Sequence, residues 1–157
     1  MRPLNEGRAE GLEIRSYEPS DESSVIALWR ECGLQRSWND PHLDIVRKRA
    51  HRDGLFLVAQ AEGILVGTVM AGYDGHRGSI NYLGVSAGHR KKGIGRALMQ
   101  EAEQRLLRLG CPKINLQVRA ENPEAVEFYR RLGFETFEVI DMGKRLIADY
   151  LIGDEAG

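Results

Sequence analysis

A strand that runs into a basic, glycine-containing break and then into a long amphipathic helix constrains this chain more than any other feature. Ile80–Val85 is an apolar strand-like run, and Ser86–Lys92 interrupts it. From about Gly93 to Leu109 the residues Ile94, Ala97, Leu98, Ala102, Leu106 and Leu109 fall on one helical stripe. Gly110 stands where a C-terminal cap belongs. A further strand over 113–118 makes the unit β-α-β, which predicts a right-handed crossover between parallel strands.

The break itself points to an anion. The first amides of a helix have no internal partners, and the helix dipole adds partial positive charge there. Gly93 and Gly95 would let backbone approach a ligand closely, and Arg90, Lys91, Lys92 and Arg96 bring local cationic charge. A row of amides suits a pyrophosphate. The same glycines could instead serve a tight strand-to-helix turn, with the basic residues forming a solvated face. Two nucleotide signatures do not fit. Leu98 stands where the third glycine of GxGxxG belongs, and Ile94 replaces the lysine that a P-loop beginning at Gly88 would need.

The remaining pattern builds one mixed layer. Residues 1–11 read as a loose polar arm, and 12–152 as one domain. The strand Leu12–Tyr17 precedes a helix carrying Val25, Leu28, Trp29 and Cys32 at i, i+3, i+4 and i+7. A loop with Trp38, Asn39 and Asp40 leads to a second helix that stops near Gly54. The strands 55–59, 64–71 and 80–85 form a meander with turns at Glu62-Gly63 and 73–78. Asn122-Pro123 starts a last helix that closes at Gly133. Residues 134–141 and 142–147 read as a final strand pair, whose exposed edge would support a homodimer. The predicted order is β-α-α-β-β-β-α-β-α-β-β, an α/β arrangement (α+β mixed sheet) with helices on its faces.

Composition narrows the classes. The 157 residues carry a net charge of -1, so no bulk field favours nucleic acid or an anionic membrane. No apolar run has the length of a membrane span and no secretory leader is evident at the start, so a cytoplasmic protein is expected. Cys32 and Cys111 lie far apart, and the four histidines show no metal-ligand spacing, so no metal is expected.

Arg90-Lys-Lys-Gly-Ile-Gly95 resembles the R/Q-x-x-G-x-G/A signature of the GCN5-related N-acetyltransferase superfamily. Residues 122–134, Asn-Pro-Glu-Ala-Val-Glu-Phe-Tyr-Arg-Arg-Leu-Gly-Phe, are similar to its second signature, N-x-x-A-x-x-F/L-Y-x-x-x-G-F. The element order agrees from Leu12 to Ile147. Within the superfamily the chain looks most like small bacterial proteins related to the ribosomal-protein N-terminal alanine acetyltransferases, and 38–41 and 73–78 resemble an uncharacterised subgroup there. The resemblance implies the acyl-coenzyme A N-acyltransferase fold, with acetyl-coenzyme A as cosubstrate and an amine as acceptor. It implies that the amides of Arg90, Lys91, Lys92, Gly93, Ile94, Gly95 and Arg96 hold the pyrophosphate. Leu83, Gly84 and Val85 would pair with the pantetheine arm, and Gly84 suggests a bulge that splays this strand from 113–118. Asn122 would contact the same arm while capping its helix. Tyr129 would protonate the departing thiolate, or else serve as a core aromatic beside Val126 and Leu132.

One departure bears on the chemistry. Related N-terminal acetyltransferases carry a glutamate base where this chain has Gln117. Deprotonating a lysine at pH 7 costs about 4.6 kcal/mol, against about 1 kcal/mol for an N-terminal amine, so the second suits an enzyme without a strong base. Asp74, His76 or a backbone carbonyl could relay the proton through water; His76 could equally be an exposed turn residue. Asp40, Asp44 and Asp74 could draw in a cationic amine, and Trp38 and Asn81 could line the acceptor pocket with Gln117. The missing base also admits a different class, a non-catalytic acyl-coenzyme A sensor.

Overall fold

The computed structural model describes residues 11–149. The arm expected over 1–11 lies, apart from Gly11, outside the described residues, as does the end of the chain after Asp149.

The run Leu55–Ala59 is buried on both sides, and this dictates the layering. It forms most of β2 (Phe56–Ala61), flanked by antiparallel β1 (Leu12–Ser16) and β3 (Ile64–Tyr73). β4 (Gly78–Val85) pairs antiparallel to β3, and β5 (Ile114–Asn115) pairs parallel to β4, giving the sheet order β1-β2-β3-β4-β5. One face carries α3 (Ile94–Arg108), whose Ile94, Leu98, Met99, Ala102 and Leu106 pack on Leu57, Ala59 and Val66. The other carries α1 (Glu22–Glu31) and α2 (Pro41–Ala50), where Val25, Trp29 and Ile45 meet Phe56 and Val58. A strand covered on both faces loses its polar alternation, which is why β2 reads as a continuous apolar run.

α3 sits close to the sheet because Gly67 leaves room. A Cβ there would stand 2.9 Å from the Leu98 side chain and 3.3 Å from that of Ile94. α4 (Pro123–Arg131) starts where Asn122 caps it, the Asn122 Oδ1 accepting from the Ala125 amide at 3.2 Å.

Two expectations differ from the structure. The strand expected over 113–118 pairs only through Ile114 and Asn115, opposite Gly78 and Ser79. Beyond that point β4 and the chain after β5 are not paired. The strand pair expected over 134–147 is irregular, and so the edge expected to support a homodimer is not formed there. A two-residue β5 offers almost no ladder to extend, and an unsupported pair of strands is marginal in water. Val139, Ile140 and Met142 consequently remain 78%, 88% and 87% exposed.

Candidate active site

The site begins with a distortion of β4. Thr68 lies opposite Gly84, but Met70 lies opposite Asn81, so β4 carries one extra residue at Tyr82–Leu83. Tyr82 takes a φ of +51°, uncommon for a residue with a large side chain. Its carbonyl is secured from inside the protein. The fully buried Thr68 hydroxyl donates to the Tyr82 carbonyl oxygen at 2.8 Å and accepts from the Trp29 indole N–H at 3.0 Å. The Tyr82 ring stacks on Trp29 with centroids 3.8 Å apart, and its hydroxyl donates to the Asp44 carboxylate. Burial, then the hydrogen bond to Asp44, raises the Tyr82 pKa.

The bulge and the short β5 together leave the second half of β4 without a parallel neighbour. Leu83 packs on the core and Asn81 is exposed. Gly84 follows directly on the bulge and is also a point of close approach. A Cβ there would meet Leu34 at 2.9 Å and the Cys32 sulfur at 3.3 Å, so the glycine admits the end of α1. The Val85 carbonyl accepts from the Arg90 Nε at 3.1 Å and from the Cys32 thiol at 3.4 Å. Arg90 therefore ties the loop back to its strand instead of standing free in solvent.

The loop then turns through two left-handed residues, Lys91 (φ +61°) and Gly93 (φ +79°), and Gly93 is the N-cap of α3. Among the described residues, no hydrogen-bond acceptor faces the amides of Arg90 to Arg96. Lys91, Lys92 and Arg96 are exposed and form no ion pair with a described residue. Ile94 is buried and anchors the helix start, leaving only its amide for a ligand. No atom lies within 4 Å of a Cβ placed on Gly93. Gly95 is set instead by helix packing. A Cβ there would touch the Phe128 ring at 3.4 Å and Val85 at 3.8 Å, which is ordinary contact, so an alanine fits and a larger side chain does not.

Phe128 brings its neighbour with it. Tyr129 makes edge contacts with Phe128 at 5.2 Å and Phe134 at 5.5 Å, and burial pushes its pKa up to about 12. Its hydroxyl has no hydrogen-bond partner among the described residues. It lines a cleft of about 1140 Å³ together with Asn81, Gln117 and Asp141. The Gln117 amide donates to the Asp141 carboxylate. Sequence reading missed Asp141, because it acquires its place only through a side-chain contact 24 residues away.

Other expected residues lie elsewhere. His76 and Asp74 sit in the exposed turn before β4, the eight residues of that strand away from the loop, or roughly 25 Å. Asp74 accepts from the His76 and Arg77 amides at 2.7 Å each, which lowers its pKa. Asp40 caps α2, accepting from the His42 amide at 2.9 Å. Trp38 is 54% exposed beneath the Arg119 guanidinium, and its carbonyl accepts from Arg145.

Among the described residues no cluster of three metal-ligating side chains occurs, and no helix is long and apolar enough to cross a membrane.

Comparison with known proteins gives this geometry a family. Residues 23–134 match the model of the acetyltransferase (GNAT) family. An acetyltransferase of Yersinia enterocolitica is 49% identical over 138 residues, which cover 88% of this chain and 98% of that protein. The crystal structure of Ard1 from Thermoplasma volcanium aligns with a TM-score of 0.72 at 26% identity, covering 80% of this chain and 83% of that one. The ribosomal-protein-S18-alanine N-acetyltransferase of Escherichia coli shares the fold, with a TM-score of 0.68 at 19% identity over 79% of this chain and 77% of its own. With two motifs, a family model over 23–134 and a near full-length relative in agreement, this chain belongs to the acetyltransferase (GNAT) family and is an acyltransferase.

Proposed function

We propose that residues 12–152 form one catalytic domain that moves an acetyl group from acetyl-coenzyme A to a primary amine, of a protein N-terminus or a small molecule, with both substrates bound together. The observation that carries this reading is the row of unpartnered amides from Arg90 to Arg96, opening α3 beside a strand end that has lost its parallel neighbour. These features fit the donor. A diphosphate suits amides at a helix start flanked by Lys91, Lys92 and Arg96, and an extended amide-bearing arm suits the unpaired edge at Leu83 to Val85. The free amide nitrogen of Asn122, whose oxygen is taken by the cap, suits a carbonyl of the same arm.

Acetyl-coenzyme A would supply the acyl group as a thioester, a carbonyl carbon joined to a leaving sulfur. Tyr129 keeps its proton at neutral pH because burial disfavours the phenolate, so its hydroxyl is always available to donate to that sulfur. Asp141, steadied by Gln117, takes the proton that the acceptor ammonium must lose. This gives Gln117 a positioning role in place of the missing glutamate. His76, Asp40 and Asp74 have no direct part in this reading, since their turn and helix cap stand away from the cleft or are occupied by backbone amides.

The test is calorimetry with coenzyme A alongside thiol-release kinetics on an amine panel. The expected result is coenzyme A binding that Gly93→Val weakens, with turnover on at least one amine. Absence of coenzyme A binding overturns the donor site. Tight binding with no turnover on any amine would make the chain a sensor.

A further inference from the structure

We infer that the acceptor amine carries an acidic group, a carboxylate or a phosphate, held by a cationic pocket between α2 with the loop before it and residues 143–147. This inference rests on the acetyl-transfer reading and narrows its acceptor.

The pocket, about 560 Å³, is assembled from segments a hundred residues apart: Trp38, Asn39 and Arg47 on one side, and Gly143 to Ile147 on the other. Its ionisable lining is entirely basic, namely Arg47, Lys144 and Arg145. The carboxylates nearby lie behind that lining. Asp149 is buried beneath it, accepting from the Arg47 guanidinium at 2.8 Å and 3.2 Å and from the Asp40 amide at 3.0 Å. Arg145 lies 4.0 Å from Asp149 and donates to the Trp38 carbonyl and the Asn39 side chain. Asp44 stands 3.7 Å from Arg47 and is engaged by the Tyr82 hydroxyl. Lys144 has no carboxylate within ion-pair distance among the described residues. Arg119 stands at the rim, 5.9 Å over the Trp38 ring and 4.0 Å from the exposed Glu121 carboxylate.

The buried carboxylate and the carbonyls of Trp38 and Ile147 therefore hold the two guanidinium groups in place, Arg145 also donating to the Ile147 carbonyl at 3.3 Å, and the Lys144 ammonium is the cation left without a partner among the described residues. Arginine held in this way presents a fork suited to carboxylate or phosphate oxygens. The pocket also adjoins the donor site. Tyr82, whose backbone forms the bulge in β4, touches Asp44, and Asp44 touches Arg47. Trp38 of the pocket lies under Arg119, two residues along the chain from Gln117 of the cleft, so a ligand held by its acid at Lys144 would have its amine on the side of Tyr129 and Asp141. The three aspartates that could have drawn in a cationic amine are committed elsewhere: Asp40 to a helix cap, Asp74 to a distant turn and Asp44 to Tyr82 and Arg47. The ionisable lining of this pocket is positive, which disfavours polyamines there.

Matched pairs of amines test this directly: alanine against alaninamide, O-phosphoethanolamine against ethanolamine, and spermidine as the cationic control. The acid member of a pair should exceed its neutral partner at least about tenfold in kcat/KM, the two pairs separating carboxylate from phosphate as the source. Lys144→Glu should raise the KM of the acid by about tenfold and remove its advantage, and added salt should erode that advantage in the wild type. Equal or better use of the neutral amines, or of spermidine, overturns the inference while leaving acetyl transfer intact. Should no amine turn over, the binding of N-acetylalanine against N-acetylalaninamide to the coenzyme A complex decides it by calorimetry. Preference for the acid supports the pocket, and equal affinity removes it. Loss of coenzyme A binding itself would instead count against the donor site.

Discussion

The two regions proposed to hold the donor and the acceptor are built from different materials. Residues 83–96, the proposed donor half, offer mostly backbone: a strand edge without a parallel neighbour, two left-handed residues and a helix start. The proposed acceptor half is made of side chains from three distant segments, around Trp38 and Arg47, around Gln117 and Arg119, and from Asp141 to Asp149. A site made of backbone can keep one ligand while the surrounding side chains vary. A site made of side chains can change its ligand with one substitution.

That contrast can be broken by experiment. The largest effect is expected from Tyr129→Phe, the side chain that links the halves: kcat should fall by about a hundredfold or more while coenzyme A affinity stays nearly constant. An unchanged rate would remove Tyr129 from the chemistry. The same group carries a pH signature. Its folded pKa is raised to about 12, so any stability it confers is complete below about pH 10, the unfolded value, and is lost as pH climbs towards 12. The alkaline limb of kcat should accordingly not reflect Tyr129 below pH 10.

Next comes Gly93→Val, which forces a β-branched residue to a φ of +79°, a strain of about 1–2 kcal/mol, and should weaken coenzyme A binding about tenfold. Gly95→Ala should bind nearly as the wild type does, since its Cβ has room against Phe128. Equal losses from both changes would show that steric bulk in the loop, not backbone angle, governs binding. Thr68→Val leaves the Trp29 indole and the Tyr82 carbonyl without their buried partner and should cost about 2 kcal/mol of stability, read from urea denaturation. The smallest effect belongs to Asp149. Arg47 and the Asp40 amide hold its pKa at about 2, so the stabilisation is present above about pH 4 and disappears as pH falls towards 2. Asp149→Asn should flatten that acid limb in a thermal melt, and an unaltered acid profile would show that the tie contributes nothing.

The same division explains how much could be read without coordinates. The meander, the crossover helix and the glycine loop follow from local periodicity and from residues adjacent in sequence, and they appear where expected. The packing behind single glycines does not. Gly84 and Gly95 each make room for a side chain from another element, Leu34 and Phe128, which no local pattern foretells. The bulge expected from Gly84 lies beside it, at Tyr82–Leu83, where the Thr68 hydroxyl of the neighbouring strand donates to the Tyr82 carbonyl. The strand pattern of 134–147 misled because alternation describes a residue's neighbours along the chain and says nothing of whether a partner edge exists. The Gln117–Asp141 and Arg47–Asp149 pairings lie beyond any local pattern, being contacts 24 and 102 residues apart.

The Thr68 hydroxyl has a consequence for how ligands arrive. Because the kink in β4 is latched from the hydrophobic interior, the strand edge proposed for the donor's arm is already shaped in the unliganded chain. If the arm binds there, entry asks no rearrangement of that strand, its ordering entropy having been met during folding. Association should then proceed in a single kinetic phase, with no slow isomerisation following the encounter.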